Sequence, residues 1–233
     1  MTSQIVAIIL TFQFFISSTF AQKNVAPNLF YSTTELKADL KYLKNKLESK
    51  HPGLHLYTSK SNMDQVFDSL ENGISKPMTE LEFYKHIAII SSIIKDGHTI
   101  ILPSPTNINF HYSMSHFLPY HFAILNHQLF IDMVYTHDGS IPIGSEIIRI
   151  NHVEVTEIIK QLSTRLVRDG YNLTYPNWIL NNYFRQYYSY IYDHPSNYDI
   201  DYKTNGQVFT ASIKALPIDS IFYYRQKHYP NKI

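Results

Sequence analysis

His98 is the residue whose neighbours best fit it for proton chemistry. It follows Gly97 at the end of an apolar run with helical spacing, so a helix terminus fixes where it leaves the backbone. An imidazole held at one point accepts a proton near neutral pH, which is general-base chemistry, or ligates a metal. Spacing alone favours the plainer role, because a single histidine after a helix end commonly serves the fold through hydrogen bonds. The chain has 12 histidines, which raises metal binding as a second chemistry. His111, His116, His121, His127 and His137 fall close together in sequence, but none forms His-x-x-x-His or the glutamate-bearing helical motif of zinc peptidases. Alternation along strands sends them to different faces, so neither a metal nor a cofactor is expected. There is no cysteine, which excludes a thiol nucleophile, a disulfide framework, a cysteine zinc site and a lipid-modified cysteine.

The elements that must position His98 are legible. Thr79 and Glu82 have the spacing of a capping box, and behind them Leu81, Phe83, Ile87, Ile90, Ile93 and Ile94 cover so much of a helix that it should be packed on more than one side. Lys95 suits the negative end of the helix dipole, Gly97 is the expected left-handed stop, and Thr99 to Leu102 reads as a short strand ending at Pro103. Upstream, Ser32 and Glu35 form another box before Leu36, Leu40, Leu43 and Leu47 at helical spacing, and His51, Pro52 and Gly53 stop that helix. A loop through Tyr57 leads to Ser61 as cap of a second amphipathic helix with Met63, Val66, Phe67, Leu70 and Ile74. Residues 34–102 are thus expected to be a three-helix antiparallel bundle.

The pattern changes after Pro103. Residues 103–116 read as a polar linker. Phe117 to Leu125 and Gln128 to Val134 read as strands around Asn126 and His127. The stretch from Ile141 to Val155 follows, with Gly144 at a tight turn and Ile147, Ile150, Val153 and Val155 facing inward, and then a helix through Ile158, Ile159, Leu162 and Leu166. A helix started by Pro176 carries Trp178, Ile179, Tyr183, Phe184, Tyr187 and Ile191, an aromatic stripe of the kind that builds cores. Asn205-Gly206 is the strongest hairpin signal in the chain. The fold class is therefore α+β: helices first, then a β-rich region with an inserted helix and a terminal hairpin.

The quartet Asp96-Gly97-His98-Thr99 resembles the element that closes the N-terminal helical region of the S41 family, the C-terminal-processing and tricorn-like serine peptidases. In the tricorn-like branch, this histidine is the general base for a serine carried by a later domain. The Pro142-x-Gly144-Ser145-x-Ile147-x-x-Ile150-Asn151 run resembles a PDZ-like domain, taken to span 117–216. This resemblance makes Phe117, Leu118, Pro119 and Tyr120 the candidate peptide-docking residues, although they contain no glycine where the usual carboxylate-holding loop would have two. It further implies a peptide or protein substrate, and makes residues 217–233 the start of a link to a missing glycine-rich catalytic domain. With only 7 glycines and no glycine-flanked serine turn, no nucleophile is assignable, and the chain alone is expected to be proteolytically silent. Two other readings stay open: a free-standing PDZ-like peptide-binding protein of the periplasm or cell exterior, and a non-catalytic structural or inhibitory remnant.

An apolar segment from Ile5 to Ile16 followed by small residues up to Ala21 reads as a signal peptide over 1–21, with 22–33 leading into the mature chain, although no Lys or Arg precedes the segment. The expected address is periplasmic or extracellular, with no membrane association after cleavage. A net charge of +1, without a basic patch, argues against nucleic acid as a partner.

Overall fold

The computed structural model describes residues 29–137, 141–192 and 194–231; the signal-peptide reading of 1–21 lies outside them. Strand β1 (Phe30–Tyr31) leads into helix α1 (Thr33–Lys50), whose capping box is formed: the Ser32 N–H donates to Glu35 Oε2 at 2.8 Å and the Glu35 N–H to Ser32 Oγ at 3.3 Å. Helix α2 (Lys60–Gly73) is capped by Ser59, which accepts from the Asn62 N–H at 3.2 Å, two residues before the expected Ser61. Strand β2 (Met78–Thr79) pairs antiparallel with β1 and passes into α3 (Glu80–Ile87), whose Thr79–Glu82 box is also present.

The single long helix expected up to Gly97 is instead two pieces. α3 stops at Ala88 and α4 (Ile89–Ile94) follows, ending on Lys95 in the left-handed conformation at φ 59°. The break comes in a stretch of β-branched isoleucines and serines, whose side chains disfavour or compete with the helical backbone. Ser92 Oγ donates to Ile89 O at 3.0 Å and to Thr164 O at 2.6 Å, so the hydroxyl couples α4 to a distant loop. Leu36, Leu40, Met63, Phe67, Ile90 and Ile94 are all nearly fully buried in one cluster between these helices. Each such side chain contributes roughly 1.5–3 kcal/mol relative to exposure, which is what holds short helices together.

Two further expectations are corrected. Thr99 to Leu102 forms no strand: Ile100 and Leu102 are exposed, and the Ile101 N–H donates to Ser91 Oγ at 3.2 Å rather than to a neighbouring strand. The linker over 103–116 contains α5 (Pro105–Met114), with Ser104 as cap and Pro105 at its first position. Its buried residues are Asn107 and His111, so the inward face carries polar groups and no apolar stripe marked it in the sequence.

The remaining elements are β3 (His116–Phe117), β4 (Tyr120–Leu125), β5 (Gln128–Val134), β6 (Glu146–Ile150), β7 (Val153–Glu154), α6 (Val155–Ser163), α7 (Thr174–Ile191), β8 (Asn197–Thr204), β9 (Gln207–Lys214), β10 (Leu216–Pro217) and α8 (Ile218–His228). The main sheet runs β4-β5-β6-β8-β9, all antiparallel, with β7 also paired to β6. Asn126 and His127 both have positive φ, as a two-residue hairpin turn of the primed type demands. Phe117 to Leu125 is interrupted at Leu118 and Pro119, because β3 leaves the main sheet to pair with β10. Helices α6 and α7 cover the sheet, burying Phe122, Ile131, Ile158, Leu180, Phe184 and Ile200. Residues 217–233, expected as the start of a link, include α8, whose Ile221 is fully buried against Phe117, Met133 and Tyr135. Tyr84 of α3 and Ala88 just after it pack on Tyr190 of α7, joining the helical and β-rich halves. The architecture is α+β.

Candidate active site

The turn carrying His98 is built from both halves. Lys95 occupies left-handed space that costs a non-glycine residue roughly 1–2 kcal/mol, so its surroundings must hold it there. The Gly170 N–H donates to Lys95 O at 3.0 Å, and Lys95 Nζ lies 4.1 Å from the centre of the Tyr171 ring. Tyr171 in turn meets Tyr57 edge to face. Gly97, expected as the left-handed stop, is needed for close approach instead. Its N–H donates to Asp169 Oδ1 at 2.8 Å, and a Cβ there would lie 2.8 Å from the same oxygen. The loop between α6 and α7 therefore clamps the exit of α4.

Asp96 organises the rest. Its Oδ1 accepts the His98 N–H at 2.8 Å and lies 3.3 Å from His98 Nδ1, while Oδ2 lies 2.9 Å from His51 Nε2. His51 Nδ1 accepts the Gly53 N–H at 3.2 Å, so in the neutral ring the proton sits on Nε2, which also approaches Thr99 Oγ1 at 3.1 Å. Burial raises the Asp96 carboxyl, but the His98 amide and the His51 and His98 rings outweigh it and hold the group below its ordinary value. An ionised Asp96 beside Nδ1 keeps the proton there and leaves the His98 Nε2 lone pair outward. The His98 side chain is 94% exposed, and among the described residues its ring has no partner but Asp96. An outward lone pair backed by a carboxylate can take a proton from a group brought to it.

Asp96, His98 and Asp169 place ligand atoms within 4.8 Å of one another. Asp169 Oδ1 accepts the Gly97 N–H, Asp96 Oδ1 the His98 N–H, and Asp96 Oδ2 faces His51. His51 and Asp169 were not singled out from the sequence. His51 was read only as a helix stop, and no local signal links Asp169 to a residue 72 positions away. The five histidines clustered in sequence are not brought together as a set: His111 is buried between α5 and α7, His121 lies 3.3 Å from Asp132, and His127 is in the hairpin turn.

The candidate docking residues lie elsewhere. Phe117, Leu118, Pro119 and Tyr120 are all buried. The Pro119 carbonyl accepts the Tyr135 N–H at 2.7 Å and the Tyr120 carbonyl accepts Arg185 Nη1 at 3.0 Å. Asn181 Oδ1 accepts the Ile124 N–H at 2.7 Å, so side chains of α7 take up backbone groups along the outer edge of β4. A pocket of about 160 Å³ remains between β4, α7 and α8, lined by His121, Arg185 and Arg225 among aromatic side chains.

No family model and no curated protein sequence matches this chain. Solved structures do, among them structures of CPAF, a chlamydial serine protease. A mutant form matches with a TM-score of 0.57 at 13% identity, over 78% of this chain and 34% of that one. Mature CPAF complexed with lactacystin gives 0.56 at 13% over 78% and 35%, and mature CPAF alone 0.53 at 12% over 78% and 34%. This chain spans about a third of the length of the CPAF chains it matches, and at such identity the likeness is one of fold alone.

Proposed function

We propose that this chain is the N-terminal portion of an exported serine peptidase of the S41 type, in which His98 is the general base and a nucleophilic serine comes from a further glycine-rich domain. The observation that carries this reading is the His98 ring, exposed yet oriented by Asp96, on a fold that reproduces about a third of a serine protease. In the reaction, the serine Oγ–H proton passes to His98 Nε2 as Oγ attacks the scissile carbonyl. Asp96 stabilises the resulting imidazolium, and the proton then goes to the leaving amine. Water repeats the cycle on the acyl-enzyme. The substrate is a peptide or protein, and the region 117–216 acts as a PDZ-like module beside the site. The occupied edge of β4 works against the alternative of a free-standing PDZ-like binder that adds a peptide strand there.

The test joins an S41 catalytic domain to the C-terminus of the whole chain, retaining α8 and its buried Ile221. The chain alone is expected neither to hydrolyse casein nor to react with a fluorophosphonate, while the fusion does both. His98→Ala in the fusion should reduce turnover by at least the 10²–10⁴-fold of general-base catalysis, with unchanged unfolding. Full turnover in that variant would remove His98 from the chemistry. Export rests on the leader, and N-terminal sequencing of secreted protein should begin at Gln22.

A further inference from the structure

Arg185 lies in α7 on the wall of the pocket beside β4, enclosed by neighbouring atoms yet with part of its surface open to the pocket. One of its N–H groups donates to Tyr120 O, and its guanidinium lies 5.4 Å from the centre of the Tyr135 ring. Among the described residues no carboxylate pairs with it. A guanidinium taken out of water without a counter-ion is strongly disfavoured, and the planar fork has further donors to offer. Arg225 of α8 lines the same pocket and adds a second positive charge. Asp132 faces His121 rather than Arg185, and burial lowers the basicity of His121. The other walls include Tyr112, Phe117, Phe122 and Phe222, and apolar cavities of about 150 Å³ accept a benzene-sized guest.

We propose that the pocket between β4, α7 and α8 binds a small monoanionic carboxylic acid with a flat apolar body, its carboxylate on Arg185 and its body against Phe117 and Phe222. Planar carboxylate matches the guanidinium fork, one negative charge answers the Arg185 guanidinium, and the aromatic walls take the remainder. This site is separate from the His98 turn and does not depend on the peptidase reading.

Phenylacetate titrated into the whole chain, followed by calorimetry and by amide shifts, is the direct test. Saturable binding is expected, with phenylacetamide, the neutral isostere, and inorganic phosphate each at least tenfold weaker. Arg185→Gln should weaken phenylacetate at least tenfold, and Phe222→Ala, at a half-exposed position, should weaken it severalfold without affecting the fold. Should Arg185→Gln fail to fold, the acid-against-amide comparison on the unmodified chain still decides. Equal affinity for acid and amide, phosphate binding as tightly as phenylacetate, unchanged binding in a folded Arg185→Gln protein, or no saturable binding would each overturn the assignment.

Discussion

His111 and His98 are the same residue type in opposite situations. His111 is buried between α5 and α7, where Nε2 lies 2.9 Å from Ser189 Oγ and Nδ1 lies 3.2 Å from Ser115 Oγ. Burial and the neighbouring His194 and Lys85 push its imidazole down to about 4, so it stays neutral and its two nitrogens are spent on the fold. His98 projects into solvent, and among the described residues its ring is partnered only by the carboxylate that orients it. Availability for chemistry is decided by the surroundings: one histidine is satisfied, the other is aimed and left open. The aim itself depends on burial at one remove, since the turn rests on Ile94 and the Asp169 clamp.

Removing that support should give the largest effect. Ile94→Ala takes a fully buried side chain from the core immediately before the turn, and is expected to cost about 2–5 kcal/mol in urea unfolding. A loss below about 1 kcal/mol would show that the turn is not anchored through the helical core. Next comes acid sensitivity. The unfolded chain takes up a proton on His111 near pH 6.5, whereas the folded chain resists until about 4. Its contribution to stability is therefore complete above 6.5 and declines as pH falls toward 4. His111→Gln should flatten this part of the stability profile, and His98→Gln should leave it unchanged.

Gly97→Ala drives a Cβ onto Asp169 and breaks the N–H bond that closes the turn, with an expected loss of about 1–3 kcal/mol. Asp169→Asn can still accept that bond and should lose less, which separates the hydrogen bond from the charge. The smallest effect belongs to the most exposed residue. His98→Ala should shift unfolding by no more than about 0.5 kcal/mol, the usual range for surface sites. A larger loss would place His98 with His111 among the residues that hold the fold.

The sequence by itself determined the features whose causes lie within a few residues. Both capping boxes form because Ser32 and Glu35, or Thr79 and Glu82, are one helical turn apart. The turns at Asn126-His127 and Asn205-Gly206 follow from residues that tolerate positive φ, and Gly144 sits at φ 83° where a turn was expected. Local pattern failed where the decisive partner was distant or polar. α5 was hidden because its buried side is built on Asn107 and His111, and the helix before His98 breaks at Ala88, ahead of a second piece whose Ser92 reaches Thr164, 72 positions on. The tertiary structure alone brought His51 to Asp96, Asp169 to Gly97 and Arg185 to Tyr120. Such contacts leave no periodic trace, because each depends on burying several elements against one another rather than on the conformation of its own segment. The sequence could thus offer His98 only as a candidate, while its orientation and exposure were set by residues from three different parts of the fold.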